Sequence, residues 1–453
     1  MKTRKVYIRI KWQHLLLFCV TSISLTGIVH AQNQIITLEN CYEIGIKRAP
    51  LLQKSLLDIV GAEVMTNQAK LERLPTLGAM INHGYNWGQS IDPFTNTFAT
   101  ERVQTNNLNM RSSWNLFAGF SVKYRIDLAK LNQEYADLIY KINERNYKNE
   151  IATAYAKLQS DHLRKQWNTE LVVRSEAFLK NAQALEKSGR NTPYDVLRFK
   201  AIYENDLAEL TMADNEFEYT GFVIKQLLNI QGKDTSATSF VLLNEEQLLD
   251  YLKMGETPDV SNLPDTKIAE VNQTIAALNV KANQALMYPS LSLSSAIGTG
   301  YSGANSTLIN GELVTKTYSE QFRENLYQSV VLTLAMPIFN QHTVKRDIAL
   351  AKIQKRQADW DAIQTQIELK NTLERLQFEL NNERVALETL KTISKTQDEL
   401  FTASDKMFRS GIINFVEFVE ARNNATQARL KYLTSLSRCY GLLLLLENFS
   451  SIN

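Results

Sequence analysis

The chain has 453 residues with only 17 Gly and 8 Pro, and 22% of it is charged, a composition that favours long helices over loops. The formal net charge of +2 falls to −3 without the five basic residues near the start, which leaves no electrostatic case for nucleic acid. No stretch approaches 18 consecutive apolar residues, so any insertion into a membrane must use strands.

The first 31 residues read as a secretory signal. Lys2, Arg4, Lys5, Arg9 and Lys11 form its basic region, Leu15 to Val29 its apolar region, and Val29-His30-Ala31 precedes a cut before Gln32. Cys19 lies inside it, leaving Cys41 and Cys439. Neither Phe18 nor Asn40 is the small residue that lipid attachment needs before its cysteine. A disulfide between Cys41 and Cys439 is compatible with secretion.

Residues 32–231 form a first repeat. A helix is expected over 37–72, capped by Thr37 with Glu39 and Glu43 in its first turns, and ended by Pro75. A strand follows over 76–88. Leu77, Ala79, Ile81, Tyr85 and Trp87 take one face, and Thr76, Gly78, Met80, Asn82 and Gly84 the other. An apolar face backed by a small or polar one suits a strand between lipid and a watery lumen. After a polar loop (89–103) a second strand returns over 104–117. Then a very long helix runs to a break at Ser188-Gly189-Arg190-Asn191-Thr192-Pro193, and a second helix continues to about Ile230.

Residues 232–263 change composition towards Gly, Asp, Ser, Thr and Pro and read as a linker, with a small helix at Glu245–Met254. The second repeat, 264–453, follows the same plan: a helix ending near Tyr288-Pro289, a strand over 290–302, a loop of about 24 residues, a strand over 326–338, and two long helices meeting at Ser410-Gly411. Phe117 and Phe339, Val122 and Val344, Lys123 and Lys345, Ala129 and Ala351, and Gly189 and Gly411 are all offset by 222. A register held over that span marks a duplicated unit. Leu373, Leu376, Leu380, Leu387 and Leu390 follow alternating steps of three and four, with Glu383 as the one polar interruption, a seam for neighbouring helices.

Four such strands per chain cannot span a bilayer alone, because every backbone group in lipid must be paired. The smallest closed barrels have about eight strands. Several chains must therefore contribute, and three would give twelve strands and a channel.

The order of these features resembles the TolC family of outer-membrane efflux channels: a signal, then two halves, each with a helix, a proline, a strand pair, an LFxG- or PIF-type entry and a helical hairpin with a Ser-Gly turn. Residues 35–53 also resemble that family's opening helix. The resemblance implies a homotrimer in outer-membrane lipid. Its twelve-stranded β-barrel would stand above a helical periplasmic α-barrel, docked to a periplasmic adaptor (membrane fusion) protein and an inner-membrane pump. It also implies that the tips at Ser188, Gly189, Ser410 and Gly411 meet the adaptor. One departure is Asn115, where the second half has Pro337.

Beyond the second tip, IINFVEFVE places Glu417 and Glu420 three apart on one helix face. The resemblance implies acidic, pore-facing residues at these offsets, and threefold symmetry would stack them as two rings of carboxylates. Asp195 matches Glu417 in the first half, while Arg198 matches Glu420. The family's latch arginine corresponds to Ile413 here, so the closed state is expected to be held differently, through Arg190 or Arg409. His83, His162 and His342 are far apart without ligand spacing, and no phosphate-binding glycine loop occurs, so neither an enzyme nor a cofactor is expected. A small-molecule efflux duct is the leading reading. A duct for type I protein secretion is the alternative. A trimeric surface adhesin is disfavoured, because its strands would be consecutive and terminal.

Overall fold

The computed structural model describes residues 34–91, 96, 98–99, 102–230, 238–253 and 263–450. The expected secretory signal and much of the 232–263 linker lie outside the described residues. The chain divides into two compact units: Met1–Arg48 with Glu150–Lys253 and Leu387–Gly441, and Ala49–Asn149 with Met254–Ala386 and Leu442–Asn453.

In the first unit a short strand β1 (Gln34–Ile36) precedes helix α1 (Leu38–Arg48). The single helix expected over 37–72 is in fact two. Pro50 has no backbone N–H to donate, so α1 stops at Arg48 and α2 (Pro50–Leu71) starts afresh with proline in its first turn. β1 pairs in parallel with a strand from the linker region, β6 (Thr238–Phe240). Beside it Gln159 clamps the backbone of Leu243, donating to its carbonyl at 2.7 Å and accepting from its N–H at 2.9 Å. The expected small helix is α5 (Glu245–Tyr251), opened by a reciprocal Asn244–Gln247 capping box.

The unit is otherwise built from α3 (Ser121–Lys187), α4 (Pro193–Leu227), α8 (Thr343–Arg409) and α9 (Phe415–Ser450), of which α3, α8 and α9 also contribute to the second unit. Asp206 on α4 and Arg422 on α9 form an ion pair whose side chains are only 5% and 10% exposed. Arg429 of α9 and the Tyr432 hydroxyl both donate to Glu245. The Cys41–Cys439 disulfide is not made: both side chains are buried and no bond joins them. Burial pushes the Cys41 thiol up to about 12, so it behaves as a small apolar filler rather than a nucleophile.

The second unit holds a four-stranded antiparallel sheet in the order β10-β7-β5-β2. Its strands are β2 (Thr76–Asn86), β5 (Val103–Ala118), β7 (Ser290–Ser302) and β10 (Tyr327–Ala335). Each repeat supplies one hairpin, and β5 pairs with β7 to join them. The alternation puts Leu77, Ile81, Leu332 and Leu334 on one face, where they are 61–77% exposed. The two repeats leave the sheet differently. Pro337 follows the end of β10, whereas β5, which carries Asn115 at that point, slips its register at Leu116 before α3 begins.

The loops fold more than the sequence suggests. Within the first are the two-residue strands β3 (Ser90–Ile91) and β4 (Phe98–Ala99). The second holds a hairpin of β8 (Ser306–Ile309) and β9 (Glu312–Thr315) and the short helix α7 (Tyr318–Glu324). Gln321 of α7 is fully buried and anchors this loop by bonding both the N–H and the carbonyl of Ser302. Helix α6 (Pro264–Ala285) completes the unit, its Asp265 paired with the buried Arg145 of α3.

Candidate functional site

The sequence-expected site residues gather at two hairpin tips in the first unit. α3 stops at Lys187 and α8 at Arg409 in the same manner. Gly189 and Gly411 take φ of +73° and +72°, a left-handed conformation that ends a helix. Their N–H groups donate to the carbonyls of Glu186 and Phe408 at 2.8 and 3.0 Å, and the next residues, Arg190 and Ile412, reach back to Leu185 and Met407. The Ser188 and Ser410 hydroxyls bond carbonyls of their own helices, so both serines terminate helices.

The acidic residues sit at the start of the following helices. Thr192 caps α4, and Asp195, the third residue of that helix, accepts from both the backbone and the hydroxyl of Thr192, at 3.1 and 2.7 Å. The Thr192 hydroxyl bond, with its backbone bond and the nearby Arg198 charge, holds the Asp195 carboxyl below the usual carboxylate range. At the second tip Asn414 is the cap. Its side-chain oxygen accepts from the backbone of Val416 and Glu417, while its amide donates to the Glu417 carboxylate at 3.0 Å. Both matched acids therefore serve a helix start. Glu420, one turn on, is exposed, and its side chain makes no hydrogen bond or ion pair among the described residues.

Of the two arginines considered as latches, Arg409 is already engaged: it bonds both oxygens of Asp405 at 3.0 Å and lies over the Phe178 ring. Sequence reasoning missed what holds the tips together. Phe178, Phe199, Phe401, Phe408, Phe415 and Phe418, drawn from all four helices, form one aromatic cluster with Ala182 and Ala425. Phe418 is fully buried and meets the other five rings at centroid distances of 4.9–6.4 Å. Arg198 of the first hairpin lies 3.9 Å from the centre of the Phe415 ring of the second, a cation–π contact between repeats. The signal was present in FRSGIINFVEF, where three phenylalanines flank the second turn, but their partners lie on other helices. Among the described residues no cluster of His, Cys, Asp or Glu is placed to hold a metal ion.

A duplicated chain with paired helical hairpins and a four-stranded sheet apolar on one face belongs to the class of strand-and-hairpin channel proteins. The family described as outer membrane efflux protein matches residues 42–220 and 260–438, and the chain belongs to it. The members of that family are channel proteins, not enzymes. Among solved structures, the fold is similar to the outer membrane protein VceC of Vibrio cholerae (TM-score 0.74, 14% identity, covering 91% of this chain and 96% of that one). It is also similar to a membrane protein of Pseudomonas aeruginosa (TM-score 0.73, 16% identity, 91% and 89% covered). The CmeC outer membrane channel of Campylobacter jejuni matches at a TM-score of 0.72, with 14% identity and 92% and 85% covered. No curated protein sequence matches the chain.

Proposed function

We propose that this chain is the outer-membrane duct of a tripartite efflux assembly, a passive homotrimer that carries small molecules to the exterior. The observation that carries the reading is the sheet. Among the described residues its outer strands β2 and β10 are each paired on one side only, and its apolar face displays leucine and isoleucine to the surroundings. Lipid tolerates that face but not the open edges. Two further copies, pairing β10 of one with β2 of the next, give twelve strands and leave no edge. The four-helix tips are the part of the chain that a periplasmic adaptor and an inner-membrane pump would engage, through Ser188, Gly189, Ser410 and Gly411. Glu417 and Glu420, with Asp195, would form the cation-attracting gate.

Native mass measurement in detergent tests the assembly: three chains are expected, and a stable monomer with full strand content would overturn the reading. Planar-bilayer conductance tests the gate. Replacing Glu417 and Glu420 by Ala should weaken cation selectivity and abolish block by trivalent cations, whereas unchanged selectivity and block would reduce these acids to helix-capping and surface roles.

A further inference from the structure

The four strands of the sheet contain a single Asp, Glu, Lys or Arg between them, Arg111 in β5. It stands in register with Gly78 of β2 and Ala296 of β7, and Ala296 in turn pairs with Ser329 of β10. A side chain added at Gly78 would meet nothing within 4 Å, so the strand beside the guanidinium is open space. Arg111 is exposed, and among the described residues it has no ion-pair or hydrogen-bond partner. A hollow of about 490 Å³ lies against it, lined also by Thr76, Ser113, Ser294 and Ser329.

The face on which it sits follows from the pairing. Thr76, Ser113 and Ser294 form one row, Gly78, Arg111 and Ala296 the next, and Asn82, Asn107 and Gly300 another. The opposite face carries Ile81 with Leu108, and Trp114 with Leu293 and Leu332. A guanidinium on the lipid side near the bilayer middle costs several kcal/mol, roughly 2–4 by strand-barrel measurements. The polar face is therefore the lumen face, and Arg111 is its one fixed charge.

We propose that three copies of Arg111 form a ring of positive charge inside the barrel that selects for anionic solutes bearing carboxylates or other oxyanions. This rests on the trimeric duct proposed above. Twelve strands about 4.8 Å apart and tilted about 40° enclose a backbone circle of roughly 12 Å radius. An extended arginine covers roughly 6 Å of that radius. Each guanidinium then lies about 6 Å from the axis, inside the Debye length of about 8 Å at physiological salt, so its field is felt across the whole bore. Among the described residues of the four strands there is no carboxylate to compensate it, and small neighbours leave each fork free to bind an oxyanion through two N–H groups.

The test is reversal potential across a potassium chloride gradient, with citrate as the anionic probe. It uses the full-length protein and its Arg111→Gln and Arg111→Lys variants, each also with Glu417 and Glu420 replaced by Ala. Without those acids the channel should favour chloride. Arg111→Gln should then bring the permeability ratio near that of the bulk ions and weaken citrate block about tenfold or more, while Arg111→Lys retains both. Conducting trimers whose chloride preference and citrate block survive Arg111→Gln would overturn the inference and leave the duct intact. Absence of any conducting pore from the unmodified protein would overturn the duct reading and the inference with it.

Discussion

The two hairpin tips are copies of one design, and they differ where they do most. Both close on a left-handed glycine and both restart with a cap and an acid three residues later. In the first, proline follows the cap and Asp195 turns back onto the Thr192 backbone, a self-contained lock. In the second, Phe415 takes the proline's place, and the cap itself, Asn414, reaches forward to hold Glu417. The duplicated position that supplies Val196 in one copy supplies Phe418 in the other. One tip is thus a stiff start for its helix, and its twin supplies four of the six rings of the aromatic cluster that joins the two.

The largest effect should come from that core. Phe418→Ala should destabilise the protein by about 3–5 kcal/mol, since a fully buried ring with five aromatic neighbours is lost. Val196→Ala, at the matched position, should cost about 1 kcal/mol for a half-buried side chain. Thermal unfolding of the two variants measures the asymmetry, and equal losses would break it.

The glycines are the symmetric control. Gly189→Ala and Gly411→Ala should each cost about 1–2 kcal/mol through backbone strain alone, because no atom lies within 4 Å of the added carbon at either site. Unequal costs would show that the turns are not equivalent.

The smallest effect concerns the lock in the first tip. Its carboxyl titrates lower when folded than when unfolded, so it stabilises the fold fully above the unfolded carboxyl range near pH 4. That contribution disappears as pH falls through the folded value. Asp195→Asn should therefore lower the unfolding midpoint slightly at pH 7 and flatten its decline on acidification. The change should be small, because the site is at the surface and screened by salt.

Much of the architecture is legible in the sequence because it is written in local periodicity. The expected strand 290–302 coincides with β7, and 104–117 falls one residue short of β5 at each end. What escaped is non-local or was overridden. Pro50 divides the helix expected over 37–72, because it cannot donate to the turn before it. The parallel pairing of β1 with β6 joins segments about 200 residues apart, and no pattern in either announces the other. The loop hairpin did leave a mark: Asn310-Gly311 takes positive φ at both residues, the turn that such a pair favours. So did α7, whose Thr317–Glu320 capping box is a four-residue motif. In the candidate site, spacing found the glycines and the acids. The cap bonds that occupy Asp195 and Glu417, and the contact of Arg198 with Phe415, depend on which neighbours three-dimensional packing delivers.

The open edges of the sheet also set an order of events for the newborn chain. Hairpin packing depends largely on contacts close in sequence, which form early, whereas in the proposed trimer the barrel seam would wait for two other molecules. Until they arrived, β2 and β10 would be bare templates on which any extended segment could grow. A chain of this kind is therefore safest when its helical part matures first and its strands meet lipid and sister strands together. In that assembly, closing the cylinder would be the step that depends on concentration, and the rate of producing working channels would rise steeply with the supply of subunits.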